Sequence, residues 1–214
     1  MTHDDLGGEW LDIYDDNLCW IGRKERESVH RDGDWHRTFH CWMIRRSPRP
    51  AVLFQQRSLA KLDNPGLWDT SVAGHVLAGE TSAEAAREIP EEVGIPLDRL
   101  SLTPAGLRVK PSRTSDRVDR EFQSVFLTEV DWGLEAFHLQ PDEVTGLAWL
   151  NLQDGWELFQ GRQARVMVEA LDSHGNFGWL SLTMQSFVPC ADGYYQRVLI
   201  NAERYLAGLT DLAV

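Results

Sequence analysis

The chain has 214 residues, 43% hydrophobic and 25% charged, a balance that excludes wholesale disorder and leaves ample material for a core. No run approaches the roughly 18 apolar residues of a membrane-spanning helix. Lys and Arg number 21 against 33 Asp and Glu, for a net charge of −12, which disfavours a nucleic-acid polymer as partner and suits equally a chain that holds divalent cations or one merely kept soluble. The first residues, MTHDDLGGEW, are polar and acidic and lack the basic start and apolar run of a secretory leader, so a cytoplasmic location is expected. Cys19, Cys41 and Cys190 are widely spaced and form no CxxC, which argues for free thiols rather than a disulfide framework or a thiolate zinc site.

Taken in order, Trp10–Tyr14 and Leu18–Ile21 flank Asp15-Asp16-Asn17 and predict an N-terminal hairpin. Arg23–Val29 predicts a short helix or turn. His36–Ile44 and Ala51–Gln56, rich in aromatic and β-favouring residues, predict a long hairpin around the two prolines of Arg45–Pro50. A short strand is expected over Trp68–Val72. A helix follows from Thr81, opened by a Thr81/Glu84 capping box and closed near Gly94. Strands are expected near 101–109 and 121–130, separated by a polar loop Lys110–Arg120 that holds the basic stretch KPSRTSDR, with another at Leu147–Leu150. Gln153–Ala170 reads as helical with a break at Gly161, Asp172–Gly178 as a turn, and Tyr194–Leu206 as an amphipathic helix with Asn201 on its polar face. The expected class is α+β, with residues 1–150 as the main domain and 151–214 as a C-terminal helical extension packed on it.

The informative segment is GHVLAGETSAEAAREIPEEVGI, residues 74–95. Glu88, Glu91 and Glu92 stand at i, i+3 and i+4, which places three carboxylates on one helix face. Like charges so spaced repel, and a divalent cation removes the penalty; Mg²⁺ typically joins a few carboxylates to substrate phosphates. From spacing alone a solvated acidic face is the more ordinary reading. Arg87 is placed to orient that acidic face.

This segment resembles the Nudix box, G-x5-E-x7-R-E-U-x-E-E-x-G-U, where U is bulky and aliphatic. Gly74, Glu80, Arg87, Glu88, Ile89, Glu91, Glu92, Gly94 and Ile95 occupy its fixed positions. The resemblance implies the Nudix fold, a mixed β-sheet sandwiched between α-helices, and Mg²⁺- (or Mn²⁺-) dependent hydrolysis of a nucleoside or other organic diphosphate. It makes Glu88, Glu91 and Glu92 metal ligands, with Glu80 at the edge of the site. Two departures stand out. Six residues rather than seven separate Glu80 from Arg87, and Pro90 occupies a free position, where a proline deep in a helix would kink it.

The flanks are similar to the isopentenyl-diphosphate isomerase branch of the same fold: WHRTFHCWMI (35–44) to its histidine-bearing strand, LWDTSVAGH (67–75) to its entry into the box. That resemblance makes His36 and His75 metal ligands, joined by acidic residues of the Asp119–Glu121 strand. It also exposes a difference, because the isomerase cysteine position before the glycine-histidine pair is Ala73 here. His30 and His40 read as surface or packing residues. The general base is open between a box glutamate (Glu91, Glu92), Glu121 and the Asp142-Glu143 loop. Arg57, Lys61 and Gly74 are candidates for binding the substrate, and Trp68 for stacking on it. The leading reading is a Mg²⁺-dependent diphosphate hydrolase with a small-molecule substrate, acting as monomer or homodimer without membrane or nucleic-acid partners. The alternatives are an isoprenoid-diphosphate isomerase and a weakly catalytic ligand sensor.

Overall fold

A computed structural model describes residues 8–113 and 118–214; residues 114–117 of the basic loop, and the first seven residues, lie outside it. The elements are β1 Trp10–Tyr14, β2 Trp20–Glu25, α1 Arg26–Asp32, β3 Trp35–Arg45, β4 Ala51–Arg57, β5 Trp68–Asp69, β6 Val72–His75, α2 Glu88–Val93, β7 Thr103–Arg113, β8 Val118–Glu129, β9 Val144–Asn151, α3 Leu152–Phe159, β10 Val166–Asp172, β11 Phe177–Leu182 and α4 Tyr194–Leu206. The class is α+β, as expected. Among the described residues no helix is long and apolar enough to cross a membrane.

The chain clusters into two compact units. The first comprises the described residues of Met1–Phe39, Gly74–Ala86 and Leu107–Ser124. In it β1 pairs antiparallel with β2, and through Ile13↔His36 with the start of β3. The strands β1 and β2 close on a short turn in which the Asp15 carboxylate accepts the backbone N–H groups of Asn17 and Cys19. Leu11, Ile13 and Val29 form a small buried cluster with Leu77 against it. Helix α1 ends at Gly33, whose φ of 72° and close approach to Val118 leave no room for a side chain.

The second unit comprises His40–Ala73, Arg87–Gly106 and Val125–Val214. Its strands run in the order β11-β10-β9-β4-β3, with antiparallel pairings throughout this path. An extensive core holds Trp42, Phe54, Trp68, Leu127, Leu150, Phe159 and Phe187, and α4 buries Tyr194, Tyr195, Val198, Leu199 and Ala202 in it. Gly155 lets α3 approach α4 closely, since a β-carbon there would meet Leu199 at 3.1 Å.

Four expectations need correction. Residues 166–172 are strand, not helix: Val166, Val168 and Ala170 are buried while Met167 is exposed, a period of two that the helical reading of Gln153–Ala170 overlooked. Residues 151–214 therefore carry a β-hairpin, β10–β11, between their two helices. The expected strand Trp68–Val72 is two short strands, β5 and β6. Asn201 is buried, because its side-chain amide donates to Ala213 O and its carbonyl oxygen accepts Ala213 N–H, both at 2.8 Å, clamping the C-terminal residues.

The fourth correction concerns the box. The Thr81/Glu84 capping box forms, with Thr81 N–H donating to Glu84 Oε2 at 2.7 Å and Glu84 N–H to Thr81 Oγ1 at 3.3 Å. No continuous helix follows. Glu84–Arg87 is a 3-10 turn, and the α-helix begins only at Glu88. Pro90 thus falls in the first turn of α2, where a missing N–H leaves no bond unmade, so the expected kink does not arise. Helix α2 stops at Gly94, φ 71°.

Candidate functional site

In the first unit three histidines from three elements converge: His30 from α1, His36 from β3 and His75 from β6. Their nearest ring nitrogens lie within 4.8 Å of one another, and a second such group joins His36 to Asp119 and Glu121 of β8. Strand alternation explains the second group, because residues 119 and 121 point to one face. Rings His30 and His36 meet edge-on at 5.0 Å, His36 and His75 stack at 5.3 Å, and the Nε2 atoms of His75 and His30 approach to 3.3 Å.

His36 is the centre of this cluster. It is wholly buried, and its Nδ1 lies 3.2 Å from Asp34 O. A carbonyl only accepts, so Nδ1 carries the hydrogen and Nε2 presents a lone pair. Burial holds the ring below the ordinary imidazole range, partly offset by the charge of Glu121, so the ring is neutral near pH 7. Nε2 is buried without a hydrogen-bond partner and stands 3.6 Å from an oxygen of Asp119. A lone pair facing a carboxylate at that distance is unfavourable without a cation. A neutral imidazole fixed by a backbone carbonyl through its other nitrogen is also how ligating histidines are held. The donor set therefore fits a divalent metal.

Of the residues the sequence singles out, the structure brings His36 and His75 together, with Asp119 and Glu121 beside His36. The sequence makes His30 a surface or packing residue, whereas the structure brings it to His36 and His75. The signal that finds it is positional: it sits six residues before His36, across the end of α1 and the turn at Gly33. Glu80, also in this unit, accepts the Leu77 backbone N–H at 2.9 Å and so braces the loop after β6. Gly74 lies within β6, beside His75.

The box glutamates belong to the second unit. Arg87 Nη1 donates to Glu88 at 2.7 Å and to Glu91 at 2.9 Å. Glu91 is more than half exposed, whereas Glu92 is buried. Among the described residues these three carboxylates do not form a further group as tight as the histidine clusters. Burial pushes the Glu92 carboxyl up to about 8, and the charge of Glu88 adds to the rise; Lys61, Arg57 and the Ala73 backbone N–H act in the opposite direction. Gln55 Nε2 lies 3.4 Å from Glu92 Oε2.

Arg57 and Lys61 each hold an anion. Arg57 stands 3.6 Å from Asp69 and donates to Asp63 O at 3.0 Å, and Lys61 pairs with Glu143. Trp68 does not offer a stacking face: it is 3% exposed and packed in the core. Cys41 is wholly buried and its thiol is pushed far up by burial, so it cannot replace the thiol missing at Ala73.

Comparison with known proteins gives the family and the fold. The family model of the NUDIX domain matches residues 34–171. The chain is 35% identical over 196 residues to an uncharacterized Nudix hydrolase of Clostridium acetobutylicum, covering 89% of this chain and 95% of that one. It is 33% identical over 145 residues to an isopentenyl-diphosphate Delta-isomerase of Streptomyces coelicolor, covering 66% and 70%. A crystal structure of a Deinococcus radiodurans protein superposes with a TM-score of 0.55 at 24% identity, over 68% of this chain and 85% of that one. The chain belongs to the Nudix family and has the Nudix fold.

Proposed function

We propose that this Nudix protein is a divalent-metal-dependent hydrolase of a small organic diphosphate. The observation that carries the metal requirement is His36: a buried, neutral ring whose unpartnered Nε2 points at Asp119 among His30, His75 and Glu121. Mixed imidazole and carboxylate sets take first-row transition ions, and all-carboxylate sets suit Mg²⁺. His30, His36, His75, Asp119 and Glu121 accordingly hold the softer ion, and Glu88, Glu91 and Glu92 hold Mg²⁺.

When bound, the cations supply charge neutralisation at the diphosphate oxygens and acidify water. The chain supplies the rest. Arg57 and Lys61 exchange Asp69 and Glu143 for substrate phosphate oxygens. Arg87 keeps Glu88 and Glu91 turned to one side. Glu92, the buried box carboxylate, is held protonated near neutral pH by burial and ionises with the cation it would hold, which suits it to be a ligand.

The isomerase reading has specific support in the Streptomyces relative and in the histidine cluster. Ala73 argues against it, because carbon acid–base chemistry needs an acid or base where this chain has a methyl group. The test is a panel of nucleoside and isoprenoid diphosphates with Mg²⁺ or Mn²⁺, followed by phosphate release and by deuterium exchange at the isoprenoid carbons. Metal-dependent phosphate release without exchange is the expected outcome. Exchange without hydrolysis would favour the isomerase, and turnover of nothing would overturn the hydrolase.

A further inference from the structure

Strand β8 continues the row of polar side chains past the metal ligands. Asp119, Glu121 and Gln123 stand at i, i+2 and i+4, on one face of the strand. Gln123 has no solvent exposure, an expensive place for an amide unless both of its ends are bonded. Both are. Its Nε2 donates to Glu121 Oε2 at 2.6 Å, and its Oε1 accepts from Arg108 Nη1 at 2.9 Å. Arg108, on β7, is itself only 6% exposed.

We propose that Gln123, locked by Arg108, is a positioning residue that holds Glu121 in its ligating orientation for the histidine metal centre. This rests on reading that cluster as a metal site. Chemistry fixes the sense of the relay. A guanidinium only donates, so the amide oxygen must face Arg108 and the amide nitrogen must face Glu121; the amide cannot flip without leaving two donors in opposition. An N–H fixed on one carboxylate oxygen sets the plane of the carboxylate and therefore the direction of its other oxygen. Lys110 stands 3.8 Å from the Glu121 oxygen that accepts from Gln123, a much looser contact.

The experiment is a Mn²⁺ titration of the chelator-stripped full chain, following free Mn²⁺ by its paramagnetic resonance signal. The histidine-dependent sites are defined as those lost in His36→Gln or His75→Gln. Gln123→Met, which keeps the shape and removes both hydrogen bonds, is expected to weaken those sites about 10- to 100-fold. In a Glu121→Ala background the same substitution is expected to have no further effect, a coupling that a merely structural role would not produce. Arg108→Met provides the second variant should Gln123→Met fold poorly, and a smaller loss in the same direction is expected. Unchanged Mn²⁺ affinity in both variants overturns the relay, as does an equal loss with Glu121 absent. If His36→Gln and His75→Gln both leave Mn²⁺ binding intact, the metal-centre reading itself falls, an outcome distinct from failure of the relay.

Discussion

Replacing Glu92 by Gln separates the electrostatic cost of the box from its packing. The buried carboxyl sits at about 8, well above the ordinary glutamate range. A raised acid destabilises the fold when ionised, so its penalty is absent below the ordinary glutamate range and grows as pH rises, becoming complete only above about 8. Between pH 5 and pH 8 the linkage develops on the order of 3 kcal/mol of lost stability. For a chain of this size that corresponds to roughly 6–12 °C in melting midpoint. Gln is the neutral isostere and carries no such slope. Thermal unfolding of chelator-stripped wild type and Glu92→Gln at half-unit steps from pH 5 to 8.5 is expected to give midpoints that nearly coincide at pH 5 and diverge as pH rises, with the wild type lower. Adding Mg²⁺ at pH 8 should raise the wild type and leave Glu92→Gln nearly unmoved, because a bound cation favours the ionised carboxylate. Parallel pH profiles for the two proteins would refute the reasoning.

Glu91→Gln removes a charge from the box while keeping its volume, and phosphate release at saturating metal is expected to fall about a hundredfold; an unchanged rate would remove Glu91 from the metal set. Gly94→Ala forces a side chain onto φ 71°, with its β-carbon 2.8 Å from that of His138 and 2.9 Å from the His138 carbonyl, so chemical denaturation should show a loss of at least about 2 kcal/mol. Leu199→Ala opens a cavity where α4 meets Gly155 of α3, and a loss of about 3 kcal/mol is expected in the same assay; a value under about 1 kcal/mol would mean that the helix is only loosely docked.

The box, and with it the family, could be read from sequence because it depends on residue type at fixed spacing, and the Thr81/Glu84 cap and the limits of α4 followed from local rules. Where the reading went astray, tertiary context decided. Gln153–Ala170 has helix-forming residues at its start, but Val166–Asp172 finds a partner in β9, and that pairing sets its period. Asn201 looks polar by type and is buried because the last residues of the chain return to satisfy it.

Pro90 and the one-residue deletion illustrate a different limit. Each alone reads as damage to a long helix. Together they describe a chain in which the helix starts later, so that proline lies in the first turn and the preceding residues wind as a 3-10 turn. His30 and Gln123 are harder cases, since neither residue type signals its role. A histidine on a short exposed helix and a glutamine in an alternating strand are ordinary until the fold sets one beside His36 and His75 and the other between Arg108 and Glu121. The box glutamates are conspicuous in a sequence because their spacing is rare. A lone histidine or glutamine is common chemistry, and only the geometry singles out the one that joins a cluster.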